Sequence, residues 1–157
     1  MKNVELKSSI LECQFDELSQ EEQHLVEQAI EATSRSYSPY SKFRVGACVL
    51  LNNGTEVIGC NQENAAYPAG LCAERTAIFA AGARYPDVPV RMLAIAARTP
   101  EGELQDEPVS PCGSCRQVLI ETETRFSQQV RILLYGRKRI YVIDGIKQLM
   151  PLSFTSF

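Results

Sequence analysis

Val130-Arg131-Ile132-Leu133-Leu134-Tyr135-Gly136-Arg137-Lys138-Arg139-Ile140-Tyr141-Val142-Ile143 is the stretch that settles how the sheet closes. Two apolar runs, Val130 to Tyr135 and Arg139 to Ile143, read as strands, with Gly136-Arg137-Lys138 between them. Three residues can join antiparallel neighbours, whereas a parallel pair needs a crossover of about a dozen residues. The last two strands are therefore antiparallel. Upstream, Met92 to Ala97 is a continuous apolar strand, followed by a polar loop from Pro100 to Pro111 and a helix from Cys112 to about Glu123. Further out, Phe43 to Leu51 is a β run, and Asn52-Asn53-Gly54 turns it into Thr55 to Asn61, a hairpin. The first strand of that hairpin is apolar on nearly both faces, so helices should cover both sides of the sheet.

Two helices remain. Cys72 to Ala83 is rich in alanine and can pack closely on a sheet. Ser19-Gln20-Glu21-Glu22 fits a capping box, with Leu18 as the staple residue, and Leu25, Val26, Ala29, Ile30 and Thr33 then share one helical face. Ser38-Pro39 ends that segment. Residues 1–15 have no clear period and read as a tail or a short packed extension. The class is α/β: a three-layer α/β/α sandwich around a mixed five-stranded sheet, one domain over residues 1–157.

Hydrophobic content of 45% and charged content of 22% are those of a soluble globular protein. A formal charge of −3 argues against a nucleic-acid partner, which usually meets a basic stripe. No stretch approaches the roughly 20 apolar residues of a membrane span. Lys2, Glu5 and Lys7 stand where a signal peptide would have its apolar core, so a cytoplasmic location is expected. Six cysteines in such a chain read as metal ligands or buried small hydrophobes rather than disulfides. Cys48 and Cys60 fall in apolar runs and read as buried thiols. The single histidine, His24, reads as a solvated surface residue, which weakens any nucleophile that needs a histidine base.

The chemistry lies in Cys72-Ala73-Glu74-Arg75 and Pro111-Cys112-Gly113-Ser114-Cys115-Arg116. A CxxC pair alone is ambiguous between zinc, redox chemistry and neither. Cys112 and Cys115, three apart at a helix start, share one face and can share a metal. Cys72, at the start of the neighbouring helix, would supply a third sulfur. Helix N-termini favour thiolates. A structural zinc site wants four protein ligands, and no fourth cysteine stands at matching spacing; three ligands leave a position for water. Glu74 is two residues from Cys72, about 200° away on a regular helix. It can approach the metal only if Cys72 is the very first helical residue. Taken alone, a first-turn glutamate is a partner for the helix dipole. Three thiolates also make zinc a poorer Lewis acid than three imidazoles do, and Arg75, with Arg116 as a second candidate, stands where it can draw off that charge.

These motifs, with Tyr40-Ser41-Lys42-Phe43-Arg44-Val45-Gly46-Ala47, Asn61-Gln62-Glu63-Asn64-Ala65-Ala66-Tyr67 and Leu149-Met150-Pro151-Leu152-Ser153-Phe154, make the chain resemble the small, homotetrameric, free-nucleoside cytidine deaminases from about Tyr37 to Phe154. In that superfamily, an antiparallel final pair of strands goes with free nucleosides rather than polynucleotides. The resemblance implies one zinc per chain on Cys72, Cys112 and Cys115, with Glu74 carrying protons to N3 of cytosine and to the leaving amine. It implies that Asn61 and Glu63 hold a ribose hydroxyl, that Phe43 packs on the base, and that Tyr67 reaches the sugar or a subunit interface. Phe154 would enter the neighbouring subunit's site in a homotetramer, with Phe157 as the other candidate. The expected reaction is hydrolytic deamination of cytidine and deoxycytidine. Rival readings are deamination of another cytosine-bearing small molecule such as blasticidin S, and a non-catalytic zinc or redox module built on CxxC, which gives Glu74 no task. The linker from Cys72 to Cys112 is longer than the resemblance leads us to expect, and Pro100 to Pro108 is the extra loop.

Overall fold

The computed structural model describes residues 1–155. Its elements are β1 (Leu11–Cys13), α1 (Gln20–Ala32), β2 (Arg44–Leu51), β3 (Glu56–Cys60), α2 (Ala73–Arg84), β4 (Val90–Arg98), α3 (Gly113–Phe126), β5 (Arg131–Tyr135) and β6 (Ile140–Asp144). They form one sheet in the order β1-β6-β5-β4-β2-β3. Among the described residues only β4 and β5 pair as parallel strands, joined by α3 as their crossover; the other strand pairs are antiparallel, β5 and β6 among them. The sandwich and the mixed sheet are as the sequence indicates. The strand count is not: among the described residues there are six strands, not five. Leu11, Glu12 and Cys13 of the supposed tail pair with Val142, Tyr141 and Ile140. Three residues are too few to show a period, and their partner lies far along the chain. Their effect is to cover part of an edge that β6 would otherwise expose.

Alternate residues of β2 explain the layers. Ala47, Val49 and Leu51 pack with Ala73, Ala77, Leu119 and Ile120 of α2 and α3. Cys48 and Leu50 pack with Leu25, Val26 and Ala29 of α1 on the opposite face. Burial pushes the Cys48 thiol pKa up to about 12, so it behaves as a small hydrophobe. Cys60 is only half-buried, its thiol donating to the Arg35 carbonyl at 3.2 Å. Gly59 lets α2 rest directly on β3: a Cβ there would lie 2.5 Å from the Ala73 carbonyl oxygen and 2.4 Å from the Ala77 nitrogen. That close seating fixes the start of α2 against the sheet.

The α1 capping box forms as read: the Ser19 side chain accepts from the Glu22 amide, and the Glu22 carboxylate accepts from the Ser19 amide at 2.8 Å. Glu22 is buried and also receives Arg131 Nε at 2.6 Å. Burial works to raise its pKa, but the Ser19 and Arg131 hydrogen bonds outweigh that and hold it low. Replacing Ser19 with alanine removes the cap and one partner of this buried carboxylate. The expected cost is about 1–2 kcal/mol, checked by denaturant unfolding with an unchanged m-value.

Candidate metal and substrate site

Strands β3 and β4 flank β2 and both run antiparallel to it, so their C-terminal ends lie at one edge of the sheet. Each leads into a helix, β3 into α2 and β4 into α3, and the two helix N-termini come together there. Crevices outside the carboxyl ends of strands are where α/β folds place their ligands.

Cys72 and Cys112 are the N-cap residues of α2 and α3, each with an extended backbone (φ −73°, ψ 156° and φ −67°, ψ 167°) and no side-chain capping bond. An N-cap side chain normally reaches the third helical residue. Here that geometry brings Cys112 to Cys115, with sulfurs 3.5 Å apart, and Cys72 to Arg75, whose Nη2 lies 3.7 Å from the Cys72 sulfur. Cys72 and Cys112 are 3.7 Å apart, and all three sulfurs lie within 4.8 Å of one another. Zinc–sulfur bonds of about 2.3 Å in a tetrahedral array put the sulfurs about 3.8 Å apart. The thiols fit the metal. Cys72 stands one position before the first helical residue, and its extended backbone removes the 200° separation that a regular helix would impose on Glu74.

The thiols share negative charge unevenly. The Cys72 pKa is lowered to about 5, first by a hydrogen bond from Cys115 and then by Arg75. Cys115, the donor in that bond and fully buried, is held in its protonated form. Glu74 is buried, 4% exposed, and its carboxyl is raised above the usual range, chiefly by burial, with the negative Cys72 adding to the effect. Arg75 Nε is buried without a hydrogen-bond partner among the described residues, so this guanidinium keeps a donor aimed into the interior. Arg116 does other work. It donates to the Pro111 carbonyl at 2.8 Å, the Leu149 carbonyl at 2.7 Å and the Ser110 hydroxyl at 3.0 Å, bracing the backbone that enters Cys112.

A cavity of about 490 Å³ opens above the thiols. Its lining brings together Phe43, Asn61, Glu63, Tyr67, Cys72, Glu74, Arg75 and Cys112. Phe43, just before β2, is half-buried and Tyr67 is 83% exposed at the rim. Asn61 and Glu63 lie just past β3, on the segment whose Gln62 bridges Tyr37 and Leu71. Both side chains also knit the cavity wall. Asn61 Oδ1 accepts from the Ser36 hydroxyl and the Val45 amide, and its Nδ2 donates to the Phe43 carbonyl at 3.0 Å. Glu63 accepts from the amides of Tyr40 and Ser41 and from the Ser41 hydroxyl, which together lower its pKa, the hydroxyl most. One N–H of Asn61 and part of the carboxylate's capacity are left for a ligand.

Sequence reasoning missed Ser41, Val109 and Ser110 as lining residues. Ser41 stands inside a quoted motif. The other two directly precede Pro111-Cys112, a placement that could have indicated them. Phe154 does not line the cavity of its own chain: it is 63% exposed, and its carbonyl accepts from Gln117 Nε2 on α3 at 2.8 Å, so the C-terminal segment is tied to that helix. Phe157 lies outside the described residues.

Comparison with known proteins agrees with this geometry. Residues 19–128 match the family model described as the cytidine and deoxycytidylate deaminase zinc-binding region. A cytidine deaminase of Sporosarcina psychrophila is 48% identical over 100 residues, covering 62% of this chain and 66% of that protein, just under two thirds of its length. A cytidine deaminase of Mycoplasma genitalium is 35% identical over 124 residues, covering 77% of this chain and 79% of that one. The crystal structure of cytidine deaminase from Burkholderia pseudomallei superposes with a TM-score of 0.73 at 34% identity, over 87% of this chain and all of the other. The matched region is a zinc-binding one, and Cys72, Cys112 and Cys115 are placed to hold that metal, one zinc per chain. With the sheet, the thiol cluster and the family model in agreement, the chain belongs to the cytidine and deoxycytidylate deaminase family.

Proposed function

We propose that this protein, as a single deaminase domain, hydrolyses cytidine and 2′-deoxycytidine to uridine and 2′-deoxyuridine with release of ammonia, serving pyrimidine salvage in the cytoplasm. The observation that carries the reading is a buried carboxyl, Glu74, beside three converging thiols at the base of a nucleoside-sized cavity. When bound, zinc activates a water as the nucleophile that adds to C4. Glu74 takes the proton that this water loses and delivers it to N3 of the ring. It then carries the remaining proton, from the hydroxyl added at C4, to the exocyclic amine, so that the C4–N bond breaks, the C4 carbonyl forms and ammonia leaves. A carboxyl whose pKa is raised, chiefly by burial, holds a proton more firmly than an ordinary carboxylate, which suits it to both halves of that task. Arg75 draws charge from Cys72 and so offsets the electron donation of three sulfurs. Asn61 and Glu63 bracket a sugar hydroxyl with the hydrogen-bonding capacity left to them, Phe43 packs on the base, and Tyr67 closes over the sugar side.

Side-by-side assays test the substrate. Cytidine and deoxycytidine should be consumed with one ammonia released per nucleoside, and blasticidin S should neither turn over nor compete effectively. Preferred turnover of blasticidin S would move the activity to another cytosine-bearing molecule.

The protein acts as a homotetramer whose sites are shared. Phe154 is exposed on the C-terminal segment that Gln117 ties to α3, and aromatics are enriched in interface cores. Its ring reaches the base in a neighbouring subunit's site. Mixing inactive Glu74→Gln and Phe154→Ala enzymes should restore partial activity, since co-assembled tetramers contain some sites with both native residues. No recovery after demonstrated subunit exchange, or unchanged kinetics for Phe154→Ala alone, would place the whole site within one chain.

A further inference from the structure

The loop from Thr99 to Pro111 is the part of the chain that the chemistry above leaves without a task. It is not loose. Its first half folds back on β4 as a small hairpin: Thr99 donates to the Glu103 carbonyl at 2.7 Å, and Gln105 donates to the Ala97 carbonyl at 2.9 Å. Its second half lies against the turn between β5 and β6. There the amides of Arg137 and Lys138 donate to the carbonyls of Gln105 and Asp106, each at 3.0 Å. Gly136 is buried under the same stretch: a Cβ there would stand 2.6 Å from the Asp106 oxygen and 2.7 Å from both the Glu107 carbonyl carbon and the Pro108 nitrogen. The Asp106 carboxylate accepts from Arg137 Nη2 at 2.6 Å and pairs with Lys138 Nζ at 2.9 Å.

What this anchor holds is the cavity. Val109 and Ser110 line it, and Cys112 follows two residues later. Only Glu107 and Pro108 separate the anchored Asp106 from Val109. The proline fixes one of the few torsions available over that distance. A shift at Asp106 therefore has little slack in which to dissipate before it reaches the cavity wall and the metal ligand.

We propose that the β5–β6 turn sets the position of the cavity wall and of the Cys112 ligand from outside the site, with Gly136 and Pro108 as positioning residues. The inference rests on the deaminase reading for its kinetic part and on the thiol cluster alone for its metal part. The two kinds of anchor differ in weight. The Asp106 ion pairs are about half exposed, with Arg137 and Asp106 side chains 49% and 40% accessible, and pairs of that kind contribute little. The backbone bonds and the close Gly136 contact matter more, because the loop cannot keep its place if a side chain intrudes there.

The test uses the zinc-loaded enzyme and two variants outside the cavity lining, with Asp106→Ala as a control. Gly136→Ala pushes the anchored backbone outward, and Pro108→Gly leaves every anchor in place but loosens the link to Val109. Three quantities are read well below the melting temperature: kcat, KM for cytidine, and the rate at which a chelator removes zinc. Gly136→Ala should lower kcat/KM by about 10–100-fold, the effect of misplacing a site by an ångström or less, and should release zinc faster. Pro108→Gly should shift both readouts in the same direction by a smaller factor. Asp106→Ala should leave them within about twofold, as expected for an exposed pair. A purely structural loop would give a lower melting temperature with KM, kcat and zinc release all unchanged, and that result in either variant overturns the proposal. Should Gly136→Ala not fold, Pro108→Gly decides alone. Parental enzyme that holds zinc but leaves cytidine untouched would refute the deaminase reading, and the zinc-release comparison would still decide the positioning role.

Discussion

Glu74→Gln should retain its zinc and its fold while losing about 10²–10⁴ or more in kcat, the range that a positioned acid–base group contributes. The amide keeps the shape of the carboxylate and can still donate and accept hydrogen bonds, but it cannot carry a proton through the transition state. The proposed mechanism has one group handle protons at the water, at N3 and at the amine, which places the loss at the upper end. Stability should move the other way or stay level. The native carboxyl is buried at 4% exposure and its pKa is raised by that burial, so a neutral side chain of the same size relieves a desolvation cost. Metal content, melting temperature and single-turnover rate, measured on one preparation, check all three. A Glu74→Gln enzyme within a few-fold of the parent would leave Glu74 as a charge at a helix start and nothing more.

Replacing any one of Cys72, Cys112 and Cys115 with alanine should abolish activity, and the expected signature is a chelator-insensitive melting curve. The metal joins two helix N-termini whose thiols are 3.7 Å apart across Cys72 and Cys112, so its binding energy is also folding energy. With free zinc about 1,000-fold above its dissociation constant, the bound metal stabilises the native state by about 4 kcal/mol. For a chain of this size that corresponds to roughly 8–16 °C in melting temperature. The parent should lose about that much on chelation. Each Cys→Ala variant should already melt at the lower temperature and respond to neither zinc nor chelator. Cys115, fully buried, should be the most damaging of the three, because losing its sulfur also leaves a gap under the site.

The elements were legible where a local pattern dictates them. Ser19 and Glu22 fix the start of α1, the three-residue link at Gly136 fixes β5 against β6, and two cysteine motifs at helix starts fix the metal site. The sequence places Cys72 and Cys112 at helix starts, but as first helical residues; each stands one position earlier, as an N-cap, because its extended backbone precedes the first helical turn. Long-range structure was harder to see. Leu11–Cys13 becomes a strand only because β6 offers an edge more than a hundred residues away. The hydrogen bonds by which Asn61 and Glu63 knit the cavity wall depend on a loop from Ser36 to Phe43 that has no periodicity to read. The Pro100 to Pro108 loop reads as polar filler until its carbonyls are seen to meet the Arg137 and Lys138 amides.

The most direct measurement combines metal content per chain with the loss of cytidine absorbance on the same sample, before and after stoichiometric zinc removal. The expected result is one zinc per chain, conversion of cytidine to uridine with matching ammonia release, loss of turnover when the zinc is stripped, and recovery on its return. Full turnover in a zinc-free sample, or a zinc-loaded protein that leaves cytidine unchanged, would contradict the account.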